Sequence, residues 1–230
     1  NEERKITVYT PATYTGKRPH NLLIIFDGEA YGAEQDKKAP VPTPTILDNL
    51  YSEEKIESTI AILVWEMGKR NKDLISDDFS NFIAKELIKK AIENGKHIVT
   101  ANKALLAGHG NELFEMAAQK GVDLAFEASV GGCMPTIKTM RESLVANRIK
   151  AMTGILNGTC NYILSKIADE GITFQEALAE AQKKGYAEAD PTLDVGGFDT
   201  AHKIAILTAL AYGMEINLKD VYVEGISEIT

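Results

Sequence analysis

The sequence predicts an α/β protein built on a mostly parallel sheet with flanking helices. Two observations carry that reading. Residues 21–26 (NLLIIF) and 59–64 (TIAILV) are unbroken apolar runs, the signature of strands covered on both faces. Stretches of helical length, several of them stopped by a glycine, alternate with these and with later strand-like runs.

In chain order, Ile6 to Tyr9 alternates apolar and polar residues, as a half-buried strand does. The strand at 21–26 stops at Asp27-Gly28, and the Lys- and Pro-rich stretch 37–44 reads as a loop. A short helix is expected over 45–51. After the strand at 59–64, Asp77 or Asp78 suits the cap of a long helix running to about Asn94, with Gly95 as its stop. The second half repeats the alternation. A short strand is expected at 98–101 and a helix over 111–120 ended by Gly121, with Gly108-His109-Gly110 as a turn flanking it. A further strand is expected at 123–127. Pro135 suits the first turn of a helix reaching about Ala146. Residues 150–156 read as a strand and 159–169 as a helix. Thr173 and Glu176 have capping-box spacing for a helix ending near Gly185. Residues 199–212 form a strongly apolar helix closed by Gly213.

Bulk properties narrow the function. The 230 residues are 44% hydrophobic and 25% charged, with a net charge of −8. That composition fits a globular protein with a sizeable core and makes nucleic acid or an anionic membrane a poor partner. No apolar run approaches the length of a membrane span, and the start, NEERKITVYT, is unlike a secretory signal. Two cysteines, Cys133 and Cys160, make neither a disulfide framework nor a zinc motif, which suits a reducing cytoplasm. There is no G-x-G-x-x-G, no Walker A sequence and no G-x-S-x-G, and the four histidines lack metal-ligand spacing.

Three stretches carry candidate chemistry. Thr100-Ala101-Asn102-Lys103 follows a strand, and the carboxyl ends of strands are where ligands sit in open sheets. From position alone, a solvated lysine opening a helix is the more common outcome. Phe126 to Pro135 (FEASVGGCMP) ends a strand, turns on two glycines and begins a helix. Such a turn can aim several carbonyls at one cation, or simply join strand to helix. Gly185 to Lys203 holds Glu188, Asp190, Asp194 and Asp199 within a Gly/Pro-rich loop and the following helix. Carboxylates there can hold a substrate ammonium. Lys203, four residues after Asp199 and beside an apolar face, can donate a proton to a developing alkoxide. The plain alternative is a solvated loop with a helical ion pair.

GKHIVTANKALLA, FEASVGG-MP, GILNGTCNYIL and GYAEADPTLDVGGFDTAHK, in this order, resemble homoserine dehydrogenases over about residues 89–230. The resemblance implies that this region is the substrate-binding and dimerisation domain. It implies NADPH- or NADH-dependent reduction of aspartate semialdehyde to homoserine, on the route to threonine and methionine, by a cytoplasmic homodimer. It also assigns residues. Lys203 would be the catalytic proton donor. Glu188, Asp194 and Asp199 would line the substrate pocket. Lys103, Gly185 and Glu188 would meet the cofactor, NADP or NAD. Glu127, Val130, Gly132 and Met134 would hold a monovalent cation, usually sodium. Cys133 departs from the family's usual glycine.

Residues 1–88 resemble another family, the iron-siderophore (enterochelin) esterases of the α/β-hydrolase fold. The matching segments are RKITVYTPATY, NLLIIFDGEAY, TPTILDNLYSEEKI and RNKDLISDDFSNFIAKELI. These two resemblances imply a chimeric chain divided into residues 1–88 and 89–230. Its alternatives to dehydrogenase chemistry are an esterase without its nucleophile or a non-catalytic scaffold. With no glycine-rich turn in 1–88, weak NAD(P)H binding and poor turnover are expected.

Overall fold

The computed structural model describes residues 5–17, 20–26, 42–65 and 81–229. The expectations for the FDGEA segment beyond Phe26, for most of the Lys/Pro-rich loop and for the Asp77 or Asp78 cap lie outside these residues. The chain divides into two compact units, residues 1–76 and 77–230. Residues 88 and 89, where the two resemblances meet, lie in continuous helix in the second unit.

Among its described residues, the first unit is a three-stranded sheet with one helix, ordered β1 (Ile6–Tyr9), β3 (Thr59–Val64), β2 (Asn21–Phe26). β2 runs parallel to β3, with Leu23 opposite Ala61 and Ile25 opposite Leu63. β1 runs antiparallel to β3, so this sheet is mixed. Only β3 is central, and its Ala61 and Leu63 are fully buried. Among the described residues β2 lies at the sheet edge, and its Leu22 is exposed, so the expected cover on both faces fails at that residue. An apolar run records hydrophobicity but not which strand takes the middle. Helix α1 (Thr43–Ser52) buries Leu47 against Ala61 and Leu63, with Tyr9, Leu23, Ile25 and Ile56 around them.

In the second unit, π-helical Phe82–Ile88 runs into α2 (Lys89–Glu93). Two short parallel strands follow, β4 (Ile98–Val99) and β5 (Leu124–Ala125), joined by α3 (Lys103–Lys120). The side chain of Asn102 accepts from the Leu105 N–H and so caps α3, satisfying an otherwise orphaned donor. The helix therefore starts eight residues earlier than its apolar pattern suggests. Gly108-His109-Gly110 is inside it, not a flanking turn. Gly110 belongs there for packing, since a Cβ would lie 2.9 Å from Ile216 Cδ1.

After a 3-10 turn (Glu127–Ser129), α4 (Thr136–Lys138) continues as a π stretch, Thr139–Ser143, and ends short of Ala146. Among the described residues, 150–156 pair with no strand. Pairing partners are not written in a strand's own sequence. Then come α5 (Gly158–Glu170), α6 (Phe174–Lys183), α7 (Thr192–Val195) and α8 (Phe198–Tyr212). The capping box at Thr173 and Glu176 is formed in both directions. Helices α5 and α6 pack through Ile163, Ala177 and Ala181, while α8 packs on α3. No helix among the described residues is long and apolar enough to cross a membrane.

Gly197 opens α8 with φ +83, and a Cβ there would sit 2.9 Å from the Glu224 carbonyl oxygen. The left-handed conformation and the close backbone each oppose a side chain. Gly197→Ala should cost about 2–4 kcal/mol. Gly121→Ala, at φ +66 with nothing within 4 Å, should cost about 1–2 kcal/mol. Urea unfolding of both variants measures this; equal losses would refute the close-contact argument.

Candidate functional site

The site forms where helix starts converge. Lys103 is the first residue of α3, directly beyond β4. Asp199 is in the first turn of α8, where the partial positive charge of the helix end favours a carboxylate. Packing of α8 on α3 brings the two together: Lys103 Nζ lies 3.0 Å from Asp199 Oδ1. One turn along α8, Lys203 Nζ donates to Asp199 Oδ2 at 2.6 Å. It also donates to the Leu156 carbonyl at 2.7 Å, just ahead of α5. One carboxylate thus serves two ammonium groups.

Asn157 closes the cluster. Its Nδ2 donates to Asp194 Oδ1 at 2.7 Å and to Asp199 Oδ2 at 2.9 Å. Its Oδ1 accepts from the Cys160 N–H and caps α5. Asp199 is buried, with 10% of its side chain exposed, against 18% for Lys203 and 36% for Lys103. Lys103 and Lys203 therefore keep part of their side chains in contact with solvent while the carboxylate between them is enclosed.

Burial opposes ionisation of Asp199 most strongly. Hydrogen bonds from Lys203 and Asn157, with the charge and hydrogen bond of Lys103, outweigh it and hold the carboxyl below its usual range. Burial, then the Lys103 charge, pushes the His202 imidazole down, with Asp199 opposing. Burial, then the Asp194 and Asp199 charges, pushes the Cys160 thiol up to about 11, so it stays protonated. Its Sγ donates to the Asp194 carbonyl at 3.1 Å.

Of the residues singled out in the sequence, the cluster unites Lys103, Asp194, Asp199 and Lys203. Glu188 is exposed in the segment after α6, where its carbonyl accepts from the Gln182 side chain. Gly185, at φ +76, turns the chain out of α6, and no atom within 4 Å would meet a Cβ there. The cation candidates are placed differently. Glu127 accepts from the N–H groups of Ile137 and Lys138 at 3.0 and 2.7 Å, anchoring the start of α4. The Gly132 carbonyl accepts from the Met134 N–H, and the Met134 carbonyl from the Thr136 N–H. Among the described residues, no group of three or more His, Cys, Asp or Glu could hold a metal ion. Asn157 and the Leu156 carbonyl carried no role in the sequence reading. An Asn before Gly-Thr signals a helix cap, but nothing local signals partners about forty residues away.

Known proteins align with this arrangement. A family model described as homoserine dehydrogenase matches residues 135–230. A second, described as the homoserine dehydrogenase NAD binding domain, matches residues 15–127. A homoserine dehydrogenase of Pseudomonas aeruginosa is 58% identical over 64% of this chain and 34% of its own length. One from Neisseria gonorrhoeae is 52% identical over 71% of this chain and 38% of its own. The chain thus spans little more than a third of these relatives. A crystal structure of homoserine dehydrogenase from Thiobacillus denitrificans superposes with a TM-score of 0.71 at 38% identity, covering 92% of this chain and 53% of that one. The Staphylococcus aureus enzyme at pH 7.5 gives 0.58 at 32%, covering 91% and 46%. The chain belongs to the homoserine dehydrogenase family. The esterase resemblance of residues 1–88, and the chimera built on it, find no support in these matches. The NAD-binding match runs through most of that region.

The Asp199 carboxyl is depressed in the folded chain, so its stabilisation is full above the unfolded value and lost as pH falls through the folded one. Asp199→Asn leaves two ammonium groups without their counter-charge and should cost about 2–4 kcal/mol at neutral pH. The gap to the parent chain should narrow as pH drops below about 4. Urea unfolding from pH 7 to pH 3 tests this, and a constant gap would refute the ion-pair account.

Proposed function

We propose, taking membership of the homoserine dehydrogenase family as the premise, that this cluster interconverts aspartate semialdehyde and homoserine with NADPH or NADH. The carrying observation is Lys203, held between the Asp199 carboxylate and the Leu156 carbonyl in a largely buried polar cluster. The nicotinamide cofactor supplies the hydride when bound. Lys203 then donates a proton to the oxygen that was the aldehyde carbonyl, and a hydroxyl results. A proton donor fixed by two acceptors needs little reorganisation as charge develops. Asp194, Asp199 and Glu188 supply carboxylates for the substrate ammonium. Lys103, at the start of α3 beyond the carboxyl end of β4, is placed to meet an anionic or amide group of cofactor or substrate. Gly185 leaves open space beside the Glu188 segment, which suits a cofactor edge.

The family match over residues 15–127 supports a dinucleotide site in this chain, although residues 1–88 hold no G-x-G-x-x-G turn. Residues 89–230 carry the substrate part of the reading. A homodimer in the cytoplasm, acting on small molecules rather than nucleic acid or membrane, completes it. The acidic net charge of −8 agrees with the partner class.

At the sodium site proposed on Glu127, Val130, Gly132 and Met134, N–H groups already bond Glu127 and the Gly132 and Met134 carbonyls, and an ion would have to use the lone pairs these oxygens have left. No catalytic step is routed through it. Replacing tetramethylammonium by sodium at constant ionic strength should raise the melting temperature if the ion binds the folded chain; no change would remove it.

Homoserine oxidation by the purified chain with excess NADP or NAD tests the main reading. Lys203→Gln should lower turnover about 10²–10⁴-fold with the fold retained. No turnover in the parent chain, or equal turnover in the variant, would overturn the assignment.

A further inference from the structure

We propose that Asn157 is a positioning residue, whose side-chain NH2 bridges the carboxylates of Asp194 and Asp199 while its oxygen caps α5. Asn157 is 7% exposed. Its amide orientation follows from the partners. A flipped amide would turn its oxygen toward two carboxylates and its NH2 toward the Cys160 N–H. As placed, both amide hydrogens meet negatively charged acceptors and the oxygen meets a backbone donor.

That arrangement explains how two carboxylates can share one corner of the site. They accept from the same nitrogen, so they lie close and repel each other unless something stands between them. Asn157 does so without adding charge. An aspartate could also cap α5, but it would be a third carboxylate. A serine could cap α5, but its short hydroxyl cannot satisfy both acidic groups. The neighbouring residue completes the device, because the Leu156 carbonyl accepts from Lys203. The start of α5 therefore sets both members of the Asp199–Lys203 pair, one through the Asn157 side chain and the other through the peptide before it. Among the described residues, the charged and titratable groups around Asp199 include Lys103 from α3, Cys160 from α5, Asp194 from α7, and His202 and Lys203 from α8. Among the groups that hold Asp199 ionised despite its burial, Asn157 stands beside the two lysines.

The catalytic consequence rests on the dehydrogenase reading above; the structural one does not. Asn157→Ser and Asn157→Asp in the full chain separate the roles, because both residues are good helix caps and neither bridges the two carboxylates. With 13C-labelled aspartate, and Asp199 identified by its loss in Asp199→Asn, the Asp199 midpoint should rise by about one to two pH units in either variant. That is the size of one hydrogen bond to a charged group. Homoserine oxidation should lose at least about tenfold in kcat, with a smaller change in KM and a shifted pH profile. In the parent chain, the Asn157 side-chain amide protons should follow the Asp199 midpoint, a readout that needs no variant to fold. Amide protons indifferent to that midpoint, or an unmoved midpoint in a folded variant, would overturn the proposal. A parent chain without turnover would count against the dehydrogenase reading alone, since the two NMR measurements still decide the role of Asn157.

Discussion

The second unit is organised around one buried carboxylate. Asp199 accepts from Asn157, the cap of α5, and pairs with Lys103 of α3 and with Lys203 of its own helix α8. A buried carboxylate is costly without partners, and two of the three here, Asn157 and Lys103, depend on another element being in place. Helix α3 must start at Lys103, α5 must start just after Asn157, and α8 must leave Gly197 in the right direction. Electrostatic satisfaction of one side chain therefore fixes the mutual placement of three helix starts.

The same constraint shapes the chemistry. A lysine on an exposed helix face samples many rotamers, and freezing them costs conformational entropy. Lys203 meets that cost during folding, through an acidic group on its own helix and a carbonyl ahead of another. The proton donor of the proposed reaction is thus set before any ligand arrives. Lys103 is held by the other oxygen of the same carboxylate and remains more exposed. The two lysines are consequently coupled, and a change at Asp199 reaches both.

The backbone around the cluster is equally specific. Residues 195–197 run against 223–226: the Ile226 N–H donates to the Val195 carbonyl at 2.8 Å, and a Cβ on Gly225 would lie 2.7 Å from that oxygen. Close backbone approach leaves no room for side chains at Gly197 and Gly225, so the entry to α8 is braced from outside. Cys160, half-buried and protonated beside Asp194, adds a hydrogen bond without charge.

The sequence by itself determined most of the local structure in the second half and the family to which the chain belongs. The capping residues, the glycine stops and the linked motifs are short-range signals. Thr173 with Glu176, Gly121 after α3 and Gly213 after α8 could be read directly because each acts on its own helix end. Lys103, Asp194, Asp199 and Lys203 were legible as acid and base candidates for the same reason, their motif spacing. Tertiary structure decided what depends on distant partners. Among the described residues, it left β2 at the sheet edge and residues 150–156 unpaired, and it drew α3 back to Asn102. It spent the Glu127 carboxylate on the start of α4, and gave Asn157 two carboxylates separated from it by 37 and 42 residues. The physical reason is range: a cap or a turn is satisfied within a few residues, whereas strand order and a buried charge are satisfied only by whatever the folded chain brings to them.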